Sequence, residues 1–123
     1  MGDYRRLKVY EKAYSTAKEM YLLAKRFPND ERYELTSQIK RAATSVPLNI
    51  AEGYGKSASE NEMLRFLRIA KGSVAETEVL LDFSCDFGYI TKEEHEKYRG
   101  QYAEIGKMLS GLMESLRRRR TDA

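Results

Sequence analysis

The chain has 123 residues, 41% hydrophobic and 33% charged, with two prolines and no tryptophan. This length and balance fit one domain around one hydrophobic core and exclude a disordered chain. Lysine and arginine number 22 against 19 acids, but Arg117 to Arg120 account for the whole excess; without them the body carries 18 cations against 19 acids.

Apolar periodicity predicts four helices. The first runs from about Leu7 to Phe27, with Tyr10, Tyr14, Ala17, Tyr21 and Ala24 on one face, and Pro28 stops it. The second runs from about Glu31 to Tyr54 on a stripe of Leu35, Ile39, Ala42, Val46 and Ile50. Pro47 is expected to kink it, and Gly53 and Gly55 to end it. The third begins at Ser57 or Ser59, the latter at capping-box spacing from Glu62. It continues through Met63, Leu67, Ala70, Val74, Thr77 and Leu81 to Gly88. The fourth opens on a second capping box, Thr91 and Glu94, and carries the seam Tyr98, Tyr102, Ile105, Leu109, Leu112 and Leu116. Such short connections predict an all-α, antiparallel up-down-up-down four-helix bundle over residues 1–116, with 117–123 as a basic C-terminal tail.

The apolar faces of helices one and three are too wide for a bundle of this size. Phe66, Ile69, Leu80, Phe83 and Phe87 spread the third helix's apolar arc to roughly 200° at about 100° per residue. On the first, Val9, Met20, Leu23 and Phe27 lie nearly opposite Tyr14 and Tyr21. Apolar surface of this extent marks an interface, so these nine residues are the candidate contacts of a homo-oligomer.

Asn49 interrupts the second helix's apolar face, which it shares with Ile39, Ala42, Val46 and Gly53. A buried amide demands hydrogen-bond partners. Glu52, one turn on, and Ser73 and Glu76, on the third helix, are the candidates for a structural polar network that fixes helix register, with Arg41 as a further member. A lining for a ligand channel is the alternative.

Catalysis has little support. His95 is the only histidine and sits in a charged helix start, where a solvated side chain is expected. One histidine cannot supply the paired Glu-x-x-His repeat of a carboxylate-bridged bundle metal site, so no metal or other cofactor is expected. GYGKS at Gly53 to Ser57 lacks the preceding strand and the spacing of a phosphate-binding loop. Cys85, among Leu81, Phe83 and Phe87, reads as a small buried hydrophobe, and a lone cysteine forms no disulfide within the chain. No apolar run approaches the roughly 18 residues that span a bilayer, and the start MGDYRRLKVY lacks the apolar stretch of a secretory signal. The expected compartment is therefore the cytoplasm, with no membrane partner.

Lys40, Arg41, Lys56, Arg65, Arg68 and Lys71 run through the middle of the chain, whereas acids crowd around the last interhelical turn. Together with Arg117, Arg118, Arg119 and Arg120 these cations are candidate phosphate contacts for RNA or DNA. No zinc knuckle, recognition helix or aromatic ladder points to sequence reading, so binding through the backbone is expected. The alternative is a protein–protein scaffold whose basic end docks an acidic partner.

Several motifs occur in an order and spacing that is specific as a set. They are Phe27-Pro28 followed by Glu31 and Leu35, QIKRAA at Gln38 to Ala43, NIAEG at Asn49 to Gly53, FLRIAKGS at Phe66 to Ser73, and Glu76. In these the chain resembles the bacterial four-helix-bundle family encoded within intervening sequences of 23S ribosomal RNA genes, over nearly its whole length. That family is similar to the accessory bundle proteins of diversity-generating retroelements, which are basic, form ring-like pentamers and assist a reverse transcriptase with its RNA. The resemblance implies a bundle assembled as a homopentamer, nucleic acid as partner, and a nucleic-acid enzyme as associate. Family membership implies no reaction.

Overall fold

The computed structural model describes residues 3–55 and 59–122, with side chains through Arg119; Lys56, Ser57 and the Arg120 side chain therefore lie outside the described residues. The elements are a 3-10 turn at Tyr4–Arg6, helix α1 at Lys8–Ala24, a second 3-10 turn at Asn29–Glu31, then α2 at Leu35–Gly55, α3 at Glu60–Asp86 and α4 at Lys92–Asp122. No strand occurs among the described residues. No helix is long and apolar enough to cross a membrane.

Local chemistry sets most of the boundaries. The Ser59 hydroxyl accepts from the Glu62 amide at 3.1 Å and caps α3, while the Glu62 carboxylate turns outward to Arg65 instead of closing the box. At α4 the box is reciprocal: Thr91 N donates to Glu94 at 2.9 Å and Glu94 N to the Thr91 hydroxyl at 3.1 Å. Gly88, at φ +79°, ends α3 with Tyr89 N donating to Ser84 O and Gly88 N to Cys85 O. These bonds form a Schellman closure, which needs the left-handed residue that glycine supplies without a Cβ penalty. The second helix starts at Leu35, later than the expected Glu31, because Pro28 is extended and the chain turns through Asn29–Glu31 first. Pro47 lies inside α2, which runs on unbroken to Gly55.

The four helices pack as α1 on α2, α2 on α3, α3 on α4 and α4 back on α1, an arrangement consistent with a bundle. The α2–α3 seam is the most extensive. Ile39, Ala42, Ala43, Val46 and Ile50 meet Met63, Leu67, Ala70, Val74 and Leu81, all buried. At Gly53 the backbones come so close that an added Cβ would stand 3.2 Å from the Phe66 Cβ.

Two expectations are corrected here. The inward face of α1 is Val9, Ala13, Thr16, Ala17, Met20, Leu23 and Ala24, with Phe27 buried just beyond the helix, whereas Tyr14 and Tyr21 are exposed. Val9, Met20, Leu23 and Phe27 are therefore core residues and cannot be surplus interface; Leu80 of α3 is buried as well. The aliphatic arc wins the interior because it brings a single hydroxyl to satisfy, that of Thr16, which Gln101 reaches at 3.1 Å, whereas the tyrosine arc would bring three. The second correction concerns 117–123. Helix α4 continues through Asp122, and Arg119 reaches back to Glu60 at 3.3 Å, so the basic segment is the end of a helix joined to α3.

Candidate interaction surfaces

Asn49 is half-buried on α2, and its amide donates to the Ser45 carbonyl at 2.8 Å and the Ser45 hydroxyl at 3.0 Å. Ser73 of α3 donates to that same hydroxyl at 2.7 Å. The helices are thus pinned in register by a Ser45–Asn49–Ser73 cluster with Ser45 as its hub. Sequence reasoning passed over Ser45, although its position four residues before Asn49 is where a helical amide side chain finds a carbonyl. Glu52 is half-buried on the next turn. Glu76 is exposed and outside the cluster, as is Arg41, because both point away from the α2–α3 seam.

A groove of about 660 Å³ runs between α1 and α2. Tyr10, Tyr14, Tyr21, Leu22, Pro47 and Leu48 line it, and Leu48 is 62% exposed. The rings form a ladder: Tyr4 and Tyr10 meet edge-on at 5.0 Å between centroids, and Tyr10 and Tyr14 lie 5.8 Å apart. Burial, and next the neighbouring phenols of Tyr4 and Tyr14, raise the Tyr10 pKa. Lys18 Nζ lies 5.2 Å from the Tyr14 ring centre, and Lys40 Nζ is equally far from that of Tyr21. The sequence reading expected no exposed aromatic ladder. The i, i+4, i+11 spacing of Tyr10, Tyr14 and Tyr21 was the available signal, and it was assigned to the core.

A second apolar surface runs along the outside of α3. Ile69, Val79, Phe83 and Phe87 are exposed there, Phe87 at 55%, while Phe66 is half-buried. Phe83 and Phe87 stack at 5.8 Å. Val79 was missed, though with Ile69, Gly72, Glu76 and Phe83 it completes an alternating three- and four-residue spacing, that of a helix-packing seam.

The sequence-proposed cations do not form one patch. Lys40 faces α1 across the groove, whereas Lys71 faces α4 and donates to the Ser110 hydroxyl at 2.6 Å. Arg65 pairs with Glu62 at 2.9 Å and lies over the Phe66 ring. Arg118 pairs with Glu114 and Arg119 with Glu60. Arg41 and Arg68 are exposed, as is Arg117. Lys107, which sequence reasoning did not select, shares a small α3–α4 cavity with Lys71. His95 is not simply solvated: its Nε2 lies 2.7 Å from an Asp82 carboxylate oxygen, and Arg99 approaches the same oxygen at 3.7 Å. No group of three or more metal-ligating side chains occurs among the described residues.

Comparison with known proteins fits this architecture. A solved structure from Bacteroides thetaiotaomicron VPI-5482, of a protein with unknown function from the S23 ribosomal protein family, is similar to this chain. The TM-score is 0.79 and the sequence identity 29%, over 85% of this chain and 97% of the other. A search among curated proteins finds no match. The profile of the 23S rRNA-intervening sequence proteins matches residues 5–111, the span that holds the α2–α3 seam, the tyrosine groove and the α3 stripe, and the chain belongs to that family.

Proposed function

We propose that this protein is a non-enzymatic, self-associating helical bundle, a ring-like homopentamer in the cytoplasm. In this reading it contacts nucleic acid through backbone phosphates as an accessory to another nucleic-acid enzyme, such as a reverse transcriptase. The observation that carries the self-association is the pair of apolar surfaces, the tyrosine groove and the α3 stripe, left uncovered on one small chain. The bundle is taken as antiparallel, supported by Ser45 meeting Ser73 while Gly53 meets Met63 and Phe66. The nucleic-acid part leans on Arg68, Lys71 and Lys107 along α3 and α4, and on Arg117, Arg118 and Arg119, exposed near the α4 end. Tyrosine and aliphatic side chains line the groove, a surface suited to binding.

Sedimentation velocity at micromolar concentration tests the assembly, and a single monomeric species would overturn it. Fluorescence anisotropy with single-stranded RNA across a salt series tests the phosphate contacts. Each contact should steepen the log–log slope by about 0.7, so Arg68→Glu with Lys71→Glu should flatten the plot and weaken every sequence alike. Absence of binding near 50 mM salt, where such contacts are strongest, would remove nucleic acid from the reading. One observation favours the second reading, a protein–protein scaffold: Arg65, Arg118 and Arg119 already pair with acids of their own chain, which leaves fewer cations for phosphates.

A further inference from the structure

We infer that the two apolar surfaces are halves of one heterologous interface, in which the α3 stripe of one copy seats in the α1–α2 groove of the next. This rests on the self-association proposed above and specifies which surface meets which. The lengths agree. Tyr10 to Tyr21 spans about 17 Å of α1, and Ile69 to Phe83 about 21 Å of α3, at the helical rise of about 1.5 Å per residue. Their shapes are complementary: the groove is concave between two helices, and the stripe is one convex helix face carrying Phe83 at its acidic end of the chain and no side chain at Gly72.

Charge then selects a second copy as the occupant. Within the groove, Lys18 sits over the Tyr14 ring, and Lys40 flanks the groove at the Tyr21 ring; neither meets a carboxylate among the described residues. Within the stripe, Glu76 is exposed midway between Ile69 and Phe83 and meets no cation there. Each surface lacks the charge that the other carries, and desolvating either alone would leave its charge uncompensated. Because groove and stripe are different patches, docking one into the other leaves a free groove at one end and a free stripe at the other. Such contacts propagate head to tail and close as rings when the rotation per step allows it; an isologous dimer would bury the same patch twice.

The test uses two full-length variants at exposed positions, so that folding is spared: Leu48→Glu in the groove and Phe83→Glu in the stripe. Gly72→Gln serves as a neutral second stripe variant, since an added Cβ at Gly72 meets nothing within 4 Å in its own chain. Circular dichroism should show parental helix content for all three. By sedimentation velocity each variant alone should be monomeric, whereas an equimolar mixture of Leu48→Glu and Phe83→Glu should give a one-to-one dimer and nothing larger. Each partner then contributes its one intact surface. Glu76→Lys should weaken assembly on the order of tenfold, and Lys18→Glu in the same chain should recover most of that loss. If the parent is oligomeric but the mixture stays monomeric, or either variant alone keeps the parental size, the groove-to-stripe pairing is wrong while self-association stands. A monomeric parent overturns both.

Discussion

The α2–α3 and α1–α4 seams hold the same four helices together by different physics. Between α2 and α3 the contact is dry and aliphatic, with Gly53 letting the backbones close and one hydroxyl–amide cluster, Ser45, Asn49 and Ser73, setting the register. Between α1 and α4 polar groups dominate the edges. Gln101 donates to the Thr16 hydroxyl and to Glu19, each at 3.1 Å; Lys97 approaches Glu19 and Lys12 approaches Glu104. At the α1 end Arg26 grips Glu94 with two hydrogen bonds of 2.5 and 2.9 Å. Tyr102 sits in this half of the molecule with its hydroxyl buried and unbonded among the described residues, and burial pushes its pKa well above the ordinary phenol value. The close seam sets the α2–α3 register; the laced one ties α1, which also packs on α2, to α4.

Ile50→Ala, in the dry seam, should have the largest effect, a loss of about 2–5 kcal/mol through the lost burial and the cavity left behind. Urea denaturation monitored by circular dichroism reads it, and a loss below about 1 kcal/mol would show that the seam is looser than its packing. Asn49→Leu removes both donations to Ser45, whose hydroxyl keeps only Ser73, and should cost about 0.5–1.5 kcal/mol. If it melts like the parent, the cluster does not hold the register.

Glu94→Gln tests the contact between the start of α4 and Arg26, just beyond α1. The Arg26 hydrogen bonds, then the Thr91 amide, hold the Glu94 pKa down at about 2, against an ordinary value of 4.5. A depressed carboxylate contributes stability that is full above about pH 5 and is lost as the pH falls through 4.5 toward 2. Glu94→Gln should therefore cost about 1 kcal/mol at pH 7 and flatten the stability profile between pH 5 and 2. An unchanged profile would remove Glu94 as its source. Tyr102→Phe should leave stability unchanged or raise it by up to about 1 kcal/mol, because the orphaned hydroxyl goes with the substitution. A clear loss would mean that the hydroxyl has a partner in solution. Lys97→Ala, at an exposed pair 3.8 Å long, should fall within about 0.5 kcal/mol of the parent. A larger loss would make the laced seam more than a positioning device.

Features written in neighbouring residues were legible from the sequence. Both caps, Ser59 with Glu62 and Thr91 with Glu94, are three-residue patterns, and both form, although only the second closes reciprocally. The aliphatic stripes of α2 and α3 were readable because each helix has one dominant aliphatic arc facing its neighbour. Helix α1 has two arcs, and periodicity alone could not rank Tyr14 and Tyr21 against Met20 and Leu23. The ranking depends on what the neighbouring helices leave to satisfy a phenol hydroxyl, and the inward places went to the aliphatic side chains. The same limit hid the partners of the polar and charged groups. Asn49 announced a need for hydrogen bonds, but Ser45 is bonded to a serine 28 residues away, and Arg119 pairs with an acid 59 residues away. Backbone periods and caps are set by interactions spanning three or four residues, so the chain carries them by itself. Which apolar arc turns inward, and which charges remain for a partner, depends on contacts between residues remote in sequence, and packing the four helices together decides both.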